Sequence, residues 1–228
     1  MNSAPRHIDS AYERELQTLR ERLLVMAGRV EVMIRDSASA LERGDQTLAE
    51  ETIAQDSYVN SDEVEIDELC LKILARRQPL ASDLRNITLT LKMVTDLERI
   101  SDLAVNICER TLILGDQGDL IPHGDIKSMA TTVQRMVRDA IDAFVERDIS
   151  GAEGVIKEDD AVDEAFHRVC VSATEHMRSN ENNVEQGIHI ISIAKHLERM
   201  GDHATNIAEQ IIFLVRGTDI RHQGKLAD

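Results

Sequence analysis

One fourteen-residue pattern occurs twice in the chain, as DLERISDLAVNICE at residues 96–109 and as HLERMGDHATNIAE at residues 196–209. Eight of the fourteen aligned positions are identical, and several of the identical residues are acidic or polar. A second match has an offset of 103 residues and pairs Met26, Val30, Met33, Arg35, Asp36 and Asp45 with Met129, Val133, Met136, Arg138, Asp139 and Asp148. The chain is therefore expected to fold as two halves of the same architecture.

Apolar residues recur at alternating spacings of three and four along each half, which is the pattern of long amphipathic helices. Only 2% of the residues are aromatic and three are proline, a composition typical of an all-helical protein. The pattern predicts helices over residues 8–43, 46–76, 82–114, 125–147, 150–178 and 183–215, with Ser82 as the N-cap of the third. Short turns make neighbouring helices antiparallel, so the predicted fold is all-α, a tandem repeat of two antiparallel three-helix bundles.

Domain boundaries follow from these helices. The first bundle is expected to cover residues 8–115, a Gly- and Asp-rich linker residues 116–124, and the second bundle residues 125–216. The polar tail at 217–228 is expected to be disordered. Heptad-like apolar seams on the first and fourth helices predict self-association as a homodimer.

A formal net charge of -16 argues against a nucleic-acid partner, because phosphate backbones would be repelled over most of the surface. No apolar run approaches the roughly 20 residues that span a bilayer, and the N-terminus lacks a hydrophobic leader, so a soluble cytoplasmic protein is expected. Cys70, Cys108 and Cys170 lie in apolar periodic segments and are interpreted as inert core thiols.

The acidic residues of the repeat fall on one face of their helices. At about 100° per residue, Glu198, Asp202, Asn206 and Glu209 lie within about 80° of one another, on the side opposite the apolar residues. The second helix of each half contributes another pair, so that four acidic pairs share an i, i+4 spacing: Glu63 with Asp67, Glu98 with Asp102, Asp159 with Asp163, and Glu198 with Asp202. Carboxylates at this spacing repel by a few tenths of a kcal/mol, so their repetition favours a cation between them. Oxygen-rich clusters suit Mg²⁺, Mn²⁺, Ca²⁺ or iron, and we interpret the pattern as a metal site on the outside of each bundle.

Other polar residues are weaker ligand candidates. Asn106 and Asn206 extend the stripes of the third and sixth helices, and His167 continues the series of Asp159 and Asp163 at a spacing of four. His189, His196 and His203 lie about 100 to 180° round the helix from the acids, so a flanking or interface role is expected for them.

Three alternatives remain open at this stage. The acids could be a solvated face of a strongly charged protein, or their grooves could bind basic segments of a partner protein without metal. A carboxylate di-iron enzyme is a third alternative, since EAFH at residues 164–167 contains a Glu-x-x-His. Such enzymes need two of these motifs facing the bundle core, and only one is present.

The arrangement resembles the PhoU family over almost the whole chain. The most specific segments are EVEIDELCLKILARRQPLASDLR at residues 63–85, DLERISD at 96–102 and KHLERMGDHATNIAE at 195–209; Ser101 departs from the Gly of the family motif. The resemblance implies a multinuclear metal cluster of iron, zinc, manganese or magnesium on each bundle. By position, its ligands would be Glu63, Asp67, Glu98, Asp102, Asp159, Asp163, Glu198 and Asp202, with Asn106 and Asn206 as weaker candidates.

The same resemblance implies a regulatory protein with no catalysed reaction. Members of the family help to hold the phosphate-starvation response off when phosphate is plentiful. They act through the ATPase of the phosphate ABC transporter (PstB) and a sensor histidine kinase (PhoR). The sequence agrees in that it carries no nucleophile-base-acid set, no phosphate-binding glycine loop and no zinc-type Cys and His spacing.

Overall fold

A computed structural model describes residues 5–79, 81–115 and 123–216. These residues form six long helices: α1 (Pro5–Arg43), α2 (Gln46–Arg77), α3 (Ala81–Leu114), α4 (His123–Glu146), α5 (Ile149–Ser179) and α6 (Val184–Arg216). A short 3₁₀ turn, Glu181–Asn183, precedes α6. The predicted all-α fold of two three-helix bundles is confirmed.

Most predicted helix ends agree with the structure to within a residue or two, and two details were wrong. α3 begins at Ala81, so Ser82 lies inside the first turn and is not the N-cap. α4 begins at His123, so residues 123 and 124 belong to a helix and not to the predicted linker. The rest of that linker, residues 116–122, and the predicted disordered tail, residues 217–228, lie outside the described residues.

The first turn of each bundle is built in the same way. Gly44 and Arg147 adopt left-handed φ values of 63° and 56°. The backbone N–H of the following residue then donates to a carbonyl oxygen of the preceding helix, from Asp45 to Ala40 and from Asp148 to Ala143, at 2.9 Å in both cases. The carboxylates of Asp45 and Asp148 then accept hydrogen bonds from backbone N–H groups in the first turns of α2 and α5. This shared turn fixes the 103-residue correspondence of α1 and α2 with α4 and α5.

The two bundles share one hydrophobic core. α3 packs against α6 and α1 packs against α4, and the buried apolar side chains of all six helices form a continuous cluster. Met33, Leu97, Met129 and Leu197 are among its members, each at most 1% exposed. A buried side chain of this size contributes about 1.5 to 3 kcal/mol, so the contact between bundles is part of the core and not a loose junction.

The apolar stripe of each helix is balanced by a polar outer face. Within the described ranges, no helix is both long and apolar enough to cross a membrane. Cys70 and Cys108 are fully buried, as expected for core thiols, and burial raises the pKa of each to about 12. Cys170 is only partly buried, so that expectation holds less well for it.

Candidate metal-binding grooves

The groove between α2 and α3 brings together the four acids predicted for the first half, Glu63 and Asp67 of α2 with Glu98 and Asp102 of α3. We call this set the first acidic groove. Burial raises the pKa of Glu63, and the charges of Asp67 and Asp102 raise it further. Burial likewise raises the pKa of Glu98, with added contributions from Asp102 and Glu63. Glu63 therefore interacts with Glu98 and Asp102 across the groove, whereas the charge of Asp67 acts on Glu63 of its own helix.

Arg99 partly neutralises this groove. Its guanidinium lies 3.5 Å from Glu98 and 3.3 Å from Asp102, and its charge lowers the pKa values of Glu63 and Glu98 against the effect of burial. Only 17% of the Glu98 side chain is exposed, so Glu98 lies in the seam between the two helices, whereas 41% of the Asp102 side chain is exposed.

The groove between α5 and α6 holds the corresponding second set, Asp159 and Asp163 of α5 with Glu198 and Asp202 of α6. We call it the second acidic groove. Burial raises the pKa of Asp159 to about 6, and the charges of Asp202, Asp163 and Glu198 add to the effect in that order. The carboxylate of Asp159 thus interacts electrostatically with all three of its predicted partners.

Glu198 has two differently placed oxygen atoms. Lys195 donates to Oε1 at 2.5 Å, whereas Oε2 is buried and has no hydrogen-bond partner among the described residues. A buried carboxylate oxygen without a donor is costly, and a cation in the groove would supply the missing partner. This atom is the most direct structural sign that the acids of the second groove fit a metal ion.

In the second groove the backbone of Gly201 lies close to the carboxylate of Asp159. A Cβ atom placed on Gly201 would lie 3.0 Å from Oδ1 of Asp159, so the glycine leaves room for that carboxylate. In the first half Ser101 replaces the glycine, and its hydroxyl donates to Asp56 Oδ1 at 3.0 Å. Asp56 of α2 is therefore the structural counterpart of Asp159.

This correspondence corrects the pairing of the two halves. The shared i, i+4 spacing indicates Glu63 and Asp67 as the counterparts of Asp159 and Asp163, but the 103-residue offset pairs Asp159 and Asp163 with Asp56 and Asn60. The first groove consequently has one further acid, Asp56, two turns before Glu63 on α2, and Asn60 donates to it at 2.8 Å. Helical phasing of the sequence already places Asp56 and Asn60 on the same face as Glu63 and Asp67, and the offset seen between Asp45 and Asp148 identifies Asp56 as the counterpart of Asp159.

The weaker candidates are not drawn into the grooves. Asn106 is partly buried, Asn206 and His167 are exposed, and none of the three forms a hydrogen bond or ion pair with a groove carboxylate within the described parts of the chain. Glu164 is exposed as well, so the Glu-x-x-His of α5 faces away from the core.

The histidine stripe of α6 lies elsewhere, as its phase predicted. His203 Nδ1 is 3.0 Å from Asp96 Oδ1 of α3, and Gln210 donates to the other oxygen of Asp96 at 3.2 Å. His196 is mostly buried, and burial together with the charges of nearby arginines lowers its pKa. His203 thus contacts α3 of the other bundle, which agrees with the flanking or interface role expected for the stripe.

As the side chains stand, no three Asp, Glu, His or Cys residues of the described ranges converge as ligands of one ion. Mutual repulsion keeps uncompensated carboxylates apart, and Arg99 and Lys195 each hold one or two of them. The acids are near enough to perturb one another, and their chemistry suits hard or borderline cations. The chemistry of the grooves is therefore compatible with metal binding, which remains a prediction.

Comparison with known proteins finds the same family in both halves of the chain. The protein-family model described as the PhoU domain matches residues 23–111 and again residues 126–211, one match in each bundle. A protein of Pseudomonas putida named phosphate-specific transport system accessory protein PhoU homolog is 40% identical over 224 residues, covering 97% of this chain and 87% of that protein. The phosphate-specific transport system accessory protein PhoU of Escherichia coli is 34% identical, covering 96% and 91%.

Solved structures give the same result. The crystal structure of PhoU from Pseudomonas aeruginosa superposes with a TM-score of 0.86 at 39% identity, covering 91% of this chain and 100% of that one. The phosphate transport system regulatory protein PhoU from Streptococcus pneumoniae gives a TM-score of 0.85 at 25% identity, covering 92% and 99%.

Proposed function

The chain belongs to the PhoU family, and on that premise we propose that it is a cytoplasmic, metal-binding regulatory adaptor of phosphate uptake and phosphate signalling. The observation that carries the proposal is the family match in both bundles together with relatives aligned over nearly their whole length. Those relatives are named accessory proteins of a phosphate-specific transport system, and a neighbouring structure is titled a regulatory protein.

The two acidic grooves are the proposed metal sites. Glu63, Asp67, Glu98 and Asp102 would hold the metal of the first bundle, and Asp159, Asp163, Glu198 and Asp202 that of the second. Bound cations would neutralise carboxylates whose pKa values are raised by burial and by one another. Since each groove is formed by two helices, the metal would also tie α2 to α3 and α5 to α6. Iron, zinc, manganese and magnesium are the candidate ions.

Regulation would be negative and would act through protein contacts. We expect the protein to repress the phosphate-starvation response while phosphate is plentiful, by binding the transporter ATPase (PstB) and the sensor histidine kinase (PhoR). We expect the protein itself to be a homodimer. Association with the membrane would be indirect, through these partners. No catalysed reaction is proposed, and the outward position of Glu164 and His167 argues against a di-iron enzyme.

The regulatory proposal is tested in the cell that carries the gene. Deletion should switch on an alkaline phosphatase reporter in phosphate-rich medium, and the wild-type gene should restore repression. Complementation with Glu198→Ala/Asp202→Ala should restore it incompletely if the groove is required. Glu50→Gln/Glu51→Gln, which removes two exposed carboxylates of α2, is the matched control and should repress fully. A reporter that stays off after deletion would contradict the regulatory role.

A second candidate is a helical interaction module whose grooves bind basic partner segments without metal. Arg99 and Lys195 favour it, because basic groups already occupy part of each groove. The two candidates differ in their response to chelation. Loss of binding to the purified transporter ATPase after exhaustive chelation, and its recovery on adding metal, supports the metal-dependent adaptor; unchanged binding supports the second candidate.

A further inference from the structure

Two adjoining cavities open at the end of the molecule where α3 begins and α6 ends. The smaller, of about 150 Å³, is lined by Ser82, Arg85, Asn86, Arg147, Leu214 and Val215. The larger, of about 280 Å³, extends between α1, α3 and α4 and shares Asn86 and Arg147 as part of its lining. The shared lining residues make them neighbouring compartments at the junction of the two bundles, on helix ends that the acidic grooves do not use.

The lining of the smaller cavity is basic, although the chain as a whole is acidic. The chain has 42 acidic and 26 basic residues, yet this lining contains two arginines and no carboxylate. Neither Arg85 nor Arg147 forms an ion pair or a side-chain hydrogen bond with any residue that the structure describes. Two guanidinium groups beside a hydroxyl and an amide are a donor set suited to a phosphoryl group, because guanidinium binds phosphate oxygens in pairs.

The larger cavity has a different chemistry. Leu16, Ile87 and Phe144 give it apolar walls, and Gln17 and Thr90 add polar groups, which is the usual composition of a site for a small organic molecule. A free phosphate ion would fill only the smaller compartment and leave these walls unused.

Two of the charged residues that line the larger cavity, Asp83 and Arg20, are already engaged, whereas Glu13 and Arg147 line it without a hydrogen bond or ion pair to any described residue. Asp83 accepts a hydrogen bond from the Tyr12 hydroxyl at 3.0 Å. Arg20 donates to the carbonyl oxygen of Val145 at 3.0 Å, which ties α1 to the end of α4 just before Arg147. Arg147 is therefore carried by a turn that is held on both sides, by this bond and by the hydrogen bond from Asp148 to Ala143.

We propose that the two adjoining cavities bind a small phosphomonoester, with its phosphoryl group at Arg85 and Arg147 and its organic part in the larger cavity. This site is separate from the acidic grooves and does not depend on the function proposed above. Inorganic phosphate offers the same oxygen atoms to the two arginines. A phosphomonoester site is therefore distinguished from a phosphate site by whether the organic part of the ligand adds affinity.

Arg147 offers a variant that separates binding from folding. Its φ of 56° is left-handed, and the equivalent position in the first bundle is Gly44 with φ 63°. Glycine adopts this conformation without the steric penalty of a side chain, so Arg147→Gly should be at least as stable as the parent while lacking the guanidinium. Loss of binding in this variant could not be ascribed to a damaged fold.

The test is isothermal titration of the full chain with adenosine 5′-monophosphate as the phosphomonoester and with inorganic phosphate. We expect the nucleotide to bind about tenfold more tightly than phosphate, and Arg147→Gly and Arg85→Ala each to weaken it by about tenfold or more, as loss of a charged hydrogen bond implies. Arg43→Ala, at the far end of α1, is the matched control and should bind normally. Nucleotide that binds no tighter than phosphate, fails to bind, or binds both variants normally would overturn the proposal.

Discussion

Replacing Asp159 by Asn should stabilise the metal-free protein. Asp159 is a half-buried carboxylate that faces Asp202, Asp163 and Glu198, and removing its charge relieves repulsion with all three. Asparagine has nearly the same shape, and the space beside Gly201 that accommodates the carboxylate accommodates the amide equally well.

The magnitude follows from the pKa of Asp159. A rise from 3.8 to about 6 corresponds to roughly 3 kcal/mol of unfavourable charge interaction and desolvation. The side chain is partly exposed to solvent, so screening reduces the expected gain to about 1 to 2 kcal/mol. Below pH 3.8 the carboxyl is protonated in both states and the gain vanishes; between pH 3.8 and about 6 the unfolded chain ionises first, and above that range the gain is complete.

Urea unfolding of exhaustively chelated protein at pH 4 and pH 7.5 measures this effect. Asp160→Asn removes the same charge from the exposed neighbouring position and should change the free energy of unfolding by no more than about 0.5 kcal/mol. Stabilisation by Asp159→Asn that is equally large at both pH values, or destabilisation at pH 7.5, would refute the argument that this carboxylate is held against repulsion.

Three further predictions concern other parts of the molecule. Gly201→Ala should change the free energy of unfolding by no more than about 1 kcal/mol relative to wild type, because the higher helix propensity of alanine offsets the 3.0 Å approach of its Cβ to Asp159. The same substitution should weaken metal binding in the second half only, which elemental analysis can measure. Asp96→Ala should destabilise the protein by about 1 to 3 kcal/mol in urea unfolding, since the polar groups of His203 and Gln210 lose their acceptor; a cost no larger than that of Thr95→Ala would contradict the role given to this contact. Cys70 and Cys108 should resist iodoacetamide at pH 8 in the folded protein and react in denaturant, as mass spectrometry can follow, and rapid labelling of either native thiol would show that the core is more open than described.

The fold could be predicted from sequence because its determinants are local and repeated. Apolar spacing defines each helix, and Asp45 and Asp148 cap equivalent helices after equivalent turns. What the spacing could not reveal is that the two bundles share a core, because a buried face has the same pattern whether it packs within a bundle or between bundles. The contact of Asp96 with His203 shows the limit clearly, since these residues lie on different helices and are not repeat equivalents.

The composition of the grooves was predicted more accurately than their register. Phasing predicts the four acids of each half on facing helices, and the structure brings Asp159 near all three of its partners and Glu63 near Glu98 and Asp102. It did not reveal that Asp56 takes the place of Asp159 in the first half, because Glu63 and Asp67 repeat the same spacing seven residues further along α2. Nor could it indicate that Arg99 and Lys195 fold back onto the acids, since long basic side chains adopt many rotamers on a helix surface.

Metal content is the most direct test of the central claim that each acidic groove holds a cation. Wild-type protein, Glu98→Ala/Asp102→Ala and Glu198→Ala/Asp202→Ala would be purified without chelator, loaded with manganese or iron, desalted and measured by elemental analysis, with circular dichroism to verify helicity. Each double variant is expected to lose the metal of its own half and keep that of the other, while Glu50→Gln/Glu51→Gln retains the full content. Full metal content in both groove variants would contradict it.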